Sequence, residues 1–66
     1  MKIVLNGQER DIEARVSLAQ LLETTGYANR RVAVEVNRAI VPRSQYGERV
    51  LDAGDRIEIV HAIGGG

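Results

Sequence analysis

Only one stretch of this chain has the pattern of an amphipathic helix, and it is short. Ser17 and Gln20 have the spacing of a capping box, in which each side chain accepts a hydrogen bond from the other residue's backbone N–H. Three leucines then fall on one side of the predicted helix: Leu18, Leu21 and Leu22. Gly26 can end the helix in a left-handed conformation. Because so short a helix is stable only when its apolar side is buried, the rest of the chain must supply a surface for it.

The segments on either side of this helix alternate between apolar and polar residues instead. Residues 1–5, 32–36 and 56–62 carry alternating apolar side chains, which is typical of β strands with one buried face. Asn6-Gly7 favours a tight hairpin turn, because both residues accept the positive φ angles that such a turn requires. We therefore expect a second strand over residues 9–12.

A further short strand follows the third one. Asn37-Arg38 is a plausible turn into residues 39–41, and Pro42 ends that strand because proline has no N–H to donate. The expected order is strand, strand, helix, strand, strand, strand. This order predicts an α+β fold with a mixed sheet of four to five strands, one main helix packed on one face, and the opposite face exposed.

Composition excludes several classes of function. The chain has 66 residues, no cysteine and a formal net charge of zero, so disulfides, thiolate metal sites and a cysteine nucleophile are excluded. The single histidine, His61, has no evident carboxylate helpers, and we predict no metal site. The chain has no basic patch interspersed with aromatic residues, so we do not predict binding to nucleic acid. No apolar run is long enough for a membrane span or a signal peptide, so we expect a cytoplasmic protein with no membrane partner.

The chain closes with three glycines, which have no side chains and therefore cannot build a core. A glycine backbone is thin enough to pass through a narrow channel, and the terminal carboxylate of Gly66 is the only reactive group on such a tail. We predict a folded domain over residues 1–63 and a flexible glycine tail over residues 64–66, with Gly64 and Gly65 providing access for Gly66. A frayed terminus or a cloning remnant would have the same composition.

Three segments together resemble a known family. These are residues 37–43 (NRAIVPR), residues 52–59 (DAGDRIEI) and the terminal Gly65-Gly66. The chain resembles the ThiS family of sulfur carriers, which have a ubiquitin-like β-grasp fold, and the resemblance extends over essentially the whole length. The Gly-Asp turn with alternating isoleucines is common to many β-grasp carriers, whereas the Asn to Pro-Arg segment and the short length are more specific.

The resemblance implies a protein co-substrate rather than an enzyme. An E1-like, ThiF-type adenylyltransferase would use ATP to convert the Gly66 carboxylate to an acyl-adenylate. A sulfur donor, either a desulfurase or a sulfurtransferase, would then displace AMP and leave a thiocarboxylate. That thiocarboxylate would deliver its sulfur to a ThiG-type thiazole synthase in thiamin biosynthesis. No cofactor is expected on the carrier itself, since ATP and the sulfur donor are used by the partner enzymes.

Three alternatives remain open from the sequence. The chain could carry sulfur for another pathway, such as that of molybdopterin. It could be a ubiquitin-like modifier whose Gly66 is joined to lysines of target proteins. It could also be a β-grasp interaction module with an idle tail, for which removal of Gly65-Gly66 would have no effect.

The predicted docking surface for partners is the exposed face of the sheet, next to the tail. Strand alternation points five side chains away from the helix, and these are the predicted partner-binding residues: Val4, Glu35, Glu58, Val60 and Ala62. Val60 is the strongest candidate, because an apolar side chain exposed beside the tail suggests an interaction site. An ordinary solvent-facing strand would have the same alternation.

Overall fold

The computed structural model describes residues 1–61, which form a mixed α+β domain. Its elements, in chain order, are β1 (Lys2–Leu5), β2 (Gln8–Asp11), α1 (Leu18–Thr24), β3 (Val32–Val36), β4 (Ala39–Val41), a 3₁₀ helix (Arg43–Gln45) and β5 (Arg56–His61). The predicted order of elements is confirmed. The predicted boundary at residue 63 and the glycine tail lie outside the described residues.

The two predicted hairpin turns are present. Asn6 and Gly7 have φ angles of 50° and 83°, so β1 and β2 pair as a tight antiparallel hairpin. Asn37 and Arg38 have φ angles of 51° and 70° and join β3 to β4 in the same manner. Positive φ is uncommon for Arg38, a bulky residue. The second strand occurs one residue earlier than predicted, because its pairing starts directly after Gly7.

Helix α1 begins and ends as its sequence predicts. Ser17 Oγ accepts a hydrogen bond from Gln20 N at 3.1 Å, and Gln20 Oε1 accepts one from Ser17 N at 2.9 Å, which completes the capping box. After the last helical turn, Gly26 has a φ of 86°. Near the C-terminal end of the helix, the backbone carbonyl of Leu21 accepts hydrogen bonds from the hydroxyls of Thr24 and Thr25.

Within residues 1–61 the strands form one sheet in the order β2-β1-β5-β3-β4. The last strand, β5, therefore occupies the middle. It runs parallel to β1 and antiparallel to β3, so the sheet is mixed, as predicted. Helix α1 covers one face of the sheet and leaves the other face open.

The core lies between α1 and the covered face of the sheet. The three helix leucines are at most 4% exposed. They pack with inward side chains of the strands and with Leu51, which precedes β5. The remaining buried apolar residues are Ile3, Leu5, Val34, Val36, Val41, Ile57 and Ile59. Burial of these side chains is the main stabilising contribution in a domain of this size.

Candidate functional site

The end of β5 determines where the C-terminal tail leaves the body. The last described pair of the ladder joins His61 to Val32 on β3. The His61 ring lies 6.0 Å from the ring of Tyr27, with the planes tilted by 48°. Strand β1 pairs only with Arg56 and Ile57 at the start of β5, so the ladder with β3 and the aromatic contact hold the chain up to His61. His61 is the last described residue of a strand that lies between β1 and β3 in the order of the sheet.

The open face of the sheet contains four of the five predicted docking residues. Val4, Glu35, Glu58 and Val60 all lie on strand positions that point away from α1, as alternation predicted. Val60 is 57% exposed, and Glu58 is also exposed, whereas Val4 and Glu35 are half-buried. The fifth, Ala62, and the three tail glycines, Gly64, Gly65 and Gly66, lie outside the described residues.

Glu35 and Glu58 face one another directly across the β3–β5 ladder. Side chains in such a position point in the same direction with Cβ atoms about 4.5–5.5 Å apart. Like charges at this distance repel, so the centre of the open face carries two carboxylates in an unfavourable arrangement. Both residues were predicted on this face, but their pairing depends on β3 and β5 being neighbours in the sheet.

A large apolar residue of this face was missed by the sequence analysis. Ile40 on β4 is 64% exposed and lies directly opposite Glu35 in the β3–β4 ladder. The alternation of β4 contained the signal, because an inward Val41 requires an outward Ile40. The open face therefore includes Val4, Glu35, Ile40, Glu58 and Val60, and the exposed Arg56, which is paired with Val4, lies on the same side.

The segments that suggested the family resemblance have a structural role in this domain. Asn37 Nδ2 donates a hydrogen bond of 2.9 Å to Asp55 Oδ1, and Asn37 Oδ1 accepts one of 2.9 Å from Arg56 N. The second Asp55 oxygen accepts a hydrogen bond of 2.8 Å from Asp52 N. Asp55 is 8% exposed, and this network satisfies its carboxylate. The network joins the β3–β4 turn to the start of β5.

Arg43, the last residue of the segment 37–43, also forms a contact that joins two parts of the chain. Its Nη2 donates a hydrogen bond of 3.0 Å to the backbone carbonyl of Arg30. This contact connects the 3₁₀ helix to the loop between α1 and β3. A cleft of about 290 Å³ lies there, lined in part by Tyr27, Tyr46 and Arg43. It is on the helix side of the sheet, away from the open face.

No group of three His, Cys, Asp or Glu side chains in residues 1–61 is arranged to hold a metal ion. In the same part of the chain, no helix has the length and apolar character needed to cross a bilayer.

These features define a class of protein: a small ubiquitin-like β-grasp domain whose central strand runs into a glycine-rich C-terminus. Comparison with known proteins agrees. The ThiS family model matches residues 3–66. The crystal structure of the thiamine biosynthesis protein ThiS from Geobacter metallireducens superposes with a TM-score of 0.88 at 25% identity and covers 100% of both chains. The chain belongs to the ThiS family.

Two relatives are informative about the context of the domain. The sulfur carrier protein ThiS of Escherichia coli is 32% identical over 66 residues, which is 100% of both chains. A thiazole synthase of Magnetococcus marinus is 52% identical over the same 66 residues. The match covers the whole of this chain but only 20% of the length of that thiazole synthase.

Proposed function

We propose that this protein is a sulfur carrier of thiamin biosynthesis, acting as a protein co-substrate rather than as an enzyme. The observation that carries the proposal is the full-length match to the Escherichia coli sulfur carrier, on a fold whose central strand leads into the glycine tail. The Gly66 carboxyl group must enter another protein's active site, and a thin glycine tail on a folded domain would allow it to do so.

The chemistry proposed for the tail takes place at the Gly66 carboxyl group. A carboxylate resists nucleophilic attack, so it first needs a leaving group. An E1-like, ThiF-type partner would supply one by transferring AMP from ATP to a carboxylate oxygen and releasing pyrophosphate. The outer sulfur of a persulfide on a desulfurase or a sulfurtransferase then attacks the carbonyl carbon, and AMP leaves to give an acyl disulfide with the donor. A thiol reductant cleaves the S–S bond of this intermediate and releases the donor. The product is a thiocarboxylate.

A ThiG-type thiazole synthase is the proposed acceptor of that sulfur. The Magnetococcus marinus relative supports this choice, because a segment 52% identical to this chain forms one fifth of a protein named thiazole synthase. A carrier domain and its acceptor in one polypeptide meet at high effective concentration. We propose that separate carrier and synthase chains use the same docking contacts.

The open face is the proposed docking surface for these partners, and Ala62 is proposed as a further contact. Its support is the exposure of Val60 and Ile40, both large apolar side chains on one side of the sheet. Val60→Ser should weaken binding of the synthase, since it removes an apolar contact without changing charge. Val50→Ser is the matched control, because Val50 is also about half exposed, at 49%. It lies away from the open face, at the start of α1, where its backbone forms an isolated antiparallel β bridge with Ser17. Equal loss in both variants would contradict the assignment of this face.

The test of the proposed function is the intact mass of the protein purified from cells that are synthesising thiamin. Exchange of one oxygen for one sulfur, absent when Gly66 is deleted, is the expected result. Recovery of the chain joined to lysines of other proteins, with no sulfur exchange, would instead identify a protein modifier.

A second experiment tests the passage of the tail. Gly65→Val should abolish pyrophosphate release by the adenylating partner, because a branched side chain would have to fit where glycine passes. The variant should keep the unfolding midpoint of the wild type, since residue 65 lies beyond the last strand of the body. Pyrophosphate release at the wild-type rate would contradict tail insertion.

A further inference from the structure

The acidic pair at the centre of the open face has a cost that the fold itself does not require. Glu35 and Glu58 are direct cross-strand neighbours, and like charges in that position destabilise a sheet. Alternation requires only that these positions be polar. A Gln or Thr at either position would satisfy the fold without the repulsion.

Neither glutamate forms an ion pair with another residue of the described part of the chain. The ion pair found among residues 1–61 joins Lys2 Nζ to Asp11 Oδ2 at 3.8 Å, at the far corner of the sheet. Arg56 lies on the same side of β5, two residues before Glu58, but it forms no ion pair with either glutamate. The two carboxylates therefore remain available to a cation from outside the domain.

Apolar side chains flank the acidic pair on two sides. Ile40 lies directly beyond Glu35 on β4, and Val60 follows Glu58 by two residues on β5. Both are more than half exposed. A partner that covers this surface would bury apolar area around a charged centre, and exclusion of water strengthens the central electrostatic contact.

We propose that the Glu35–Glu58 pair receives an arginine or lysine side chain of the thiazole synthase, inserted between apolar groups that cover Ile40 and Val60. The inference rests on the proposed function and adds the chemistry of the partner's surface. A second copy of this chain is a poor occupant, because face-to-face association would bring four carboxylates together. The cation removes a repulsion present in the free carrier, so the pair contributes more to binding than one exposed charge would.

The experiment compares Glu35→Gln, Glu58→Gln and the double variant with Glu23→Gln. Glu23 is an exposed residue of α1 on the other side of the sheet, so its variant controls for the change in net charge. Affinity for a purified ThiG-type synthase is measured by calorimetry at low and high salt. Each single variant is expected to bind about three- to tenfold more weakly than the wild type, as for charged interface contacts of this kind.

Two further readouts separate a docking role from a structural one. Binding of the wild type should weaken as salt rises, whereas binding of the double variant should depend on salt much less. The free double variant should melt at a higher temperature than the wild type, because its repulsion is gone. Weaker binding together with a more stable free domain cannot be explained by damage to the fold.

Several results would overturn the inference. It is wrong if Glu35→Gln, Glu58→Gln and the double variant all bind with wild-type affinity, or if any of them binds more tightly. It is also wrong if Glu23→Gln loses as much affinity as they do. Loss of affinity for the adenylating partner alone, or dimerisation of the carrier through this face, would mean that the occupant is wrong. Absence of any binding between wild type and synthase would also overturn it. The sulfur exchange measured by mass is independent of all these outcomes and decides the carrier function separately.

Discussion

The two faces of the sheet are built from neighbouring residues of the same strands, yet they differ in how completely their side chains are satisfied. On the helix side, apolar side chains are buried against α1. At the start of β5, the buried Asp55 carboxylate likewise accepts a hydrogen bond at each oxygen. On the open side, Ile40 and Val60 are exposed and the carboxylates of Glu35 and Glu58 form no ion pair within residues 1–61. The contrast indicates that one face specifies the fold and the other is available for a partner.

The largest effect should come from truncating a side chain on the covered face. Leu21 is 1% exposed, so Leu21→Ala should lower the free energy of unfolding by about 2–5 kcal/mol through lost burial and a residual cavity. Ile40→Ala is the matched control on the open face and should cost less than about 1 kcal/mol. Urea denaturation followed by circular dichroism measures both. Similar losses would show that Ile40 belongs to the core and would remove the contrast.

The next largest effect on stability should come from the buried, hydrogen-bonded carboxylate of Asp55, compared with an exposed one. Asp55→Asn should destabilise the domain by about 1–3 kcal/mol, because in either orientation its new NH2 group would face a donor, Asn37 Nδ2 or Asp52 N. Asp52→Asn, which neutralises an exposed carboxylate three residues earlier, should have little effect on the urea midpoint. If Asp55→Asn were neutral, the network that joins the β3–β4 turn to β5 would not be stabilising.

A smaller effect is expected at the start of α1. Ser17→Ala removes one half of the capping box and should cost about 1 kcal/mol. Ser44→Ala, at an exposed position of the 3₁₀ helix, should leave thermal unfolding unchanged. An equal response at the two serines would mean that the cap does not help to hold the helix against the sheet.

The smallest effect has the opposite sign. Glu35→Gln should raise the free energy of unfolding of the isolated domain by about 0.2–1 kcal/mol, since it removes a like-charge cross-strand pair. Glu23→Gln should produce no comparable gain. The measurement requires low salt, where exposed charges are least screened. A loss of stability in Glu35→Gln would indicate that this carboxylate is satisfied in the free domain.

Most of the fold could be predicted from local sequence signals. The capping box, the Asn6-Gly7 turn and the alternation of β1, β3 and β5 each depend on nearby residues, and each prediction is confirmed. The start of β2 was misjudged by one residue because every residue of that strand is exposed, so no burial pattern fixes its register. The Asn37–Asp55 contact joins residues 18 positions apart, and no local pattern could reveal it.

The candidate site was less predictable for the same reason. Alternation placed Val4, Glu35, Glu58 and Val60 on one face, but it could not say which strands are neighbours. The direct opposition of Glu35 and Glu58 follows from the central place of β5 between β1 and β3, which is a property of the folded topology. Ile40 was overlooked because a three-residue strand gives a weak pattern.

The central place of β5 also affects how the protein is made. During translation, the β1–β2 and β3–β4 hairpins leave the ribosome before the strand that joins them, and isolated hairpins are only marginally stable in water. The sheet can close only after residues 56–61 have been synthesised. A prematurely terminated chain therefore keeps two unpaired strand edges, which are prone to aggregate and to be degraded. Folding itself thus acts as a check that synthesis has reached the segment leading into the tail.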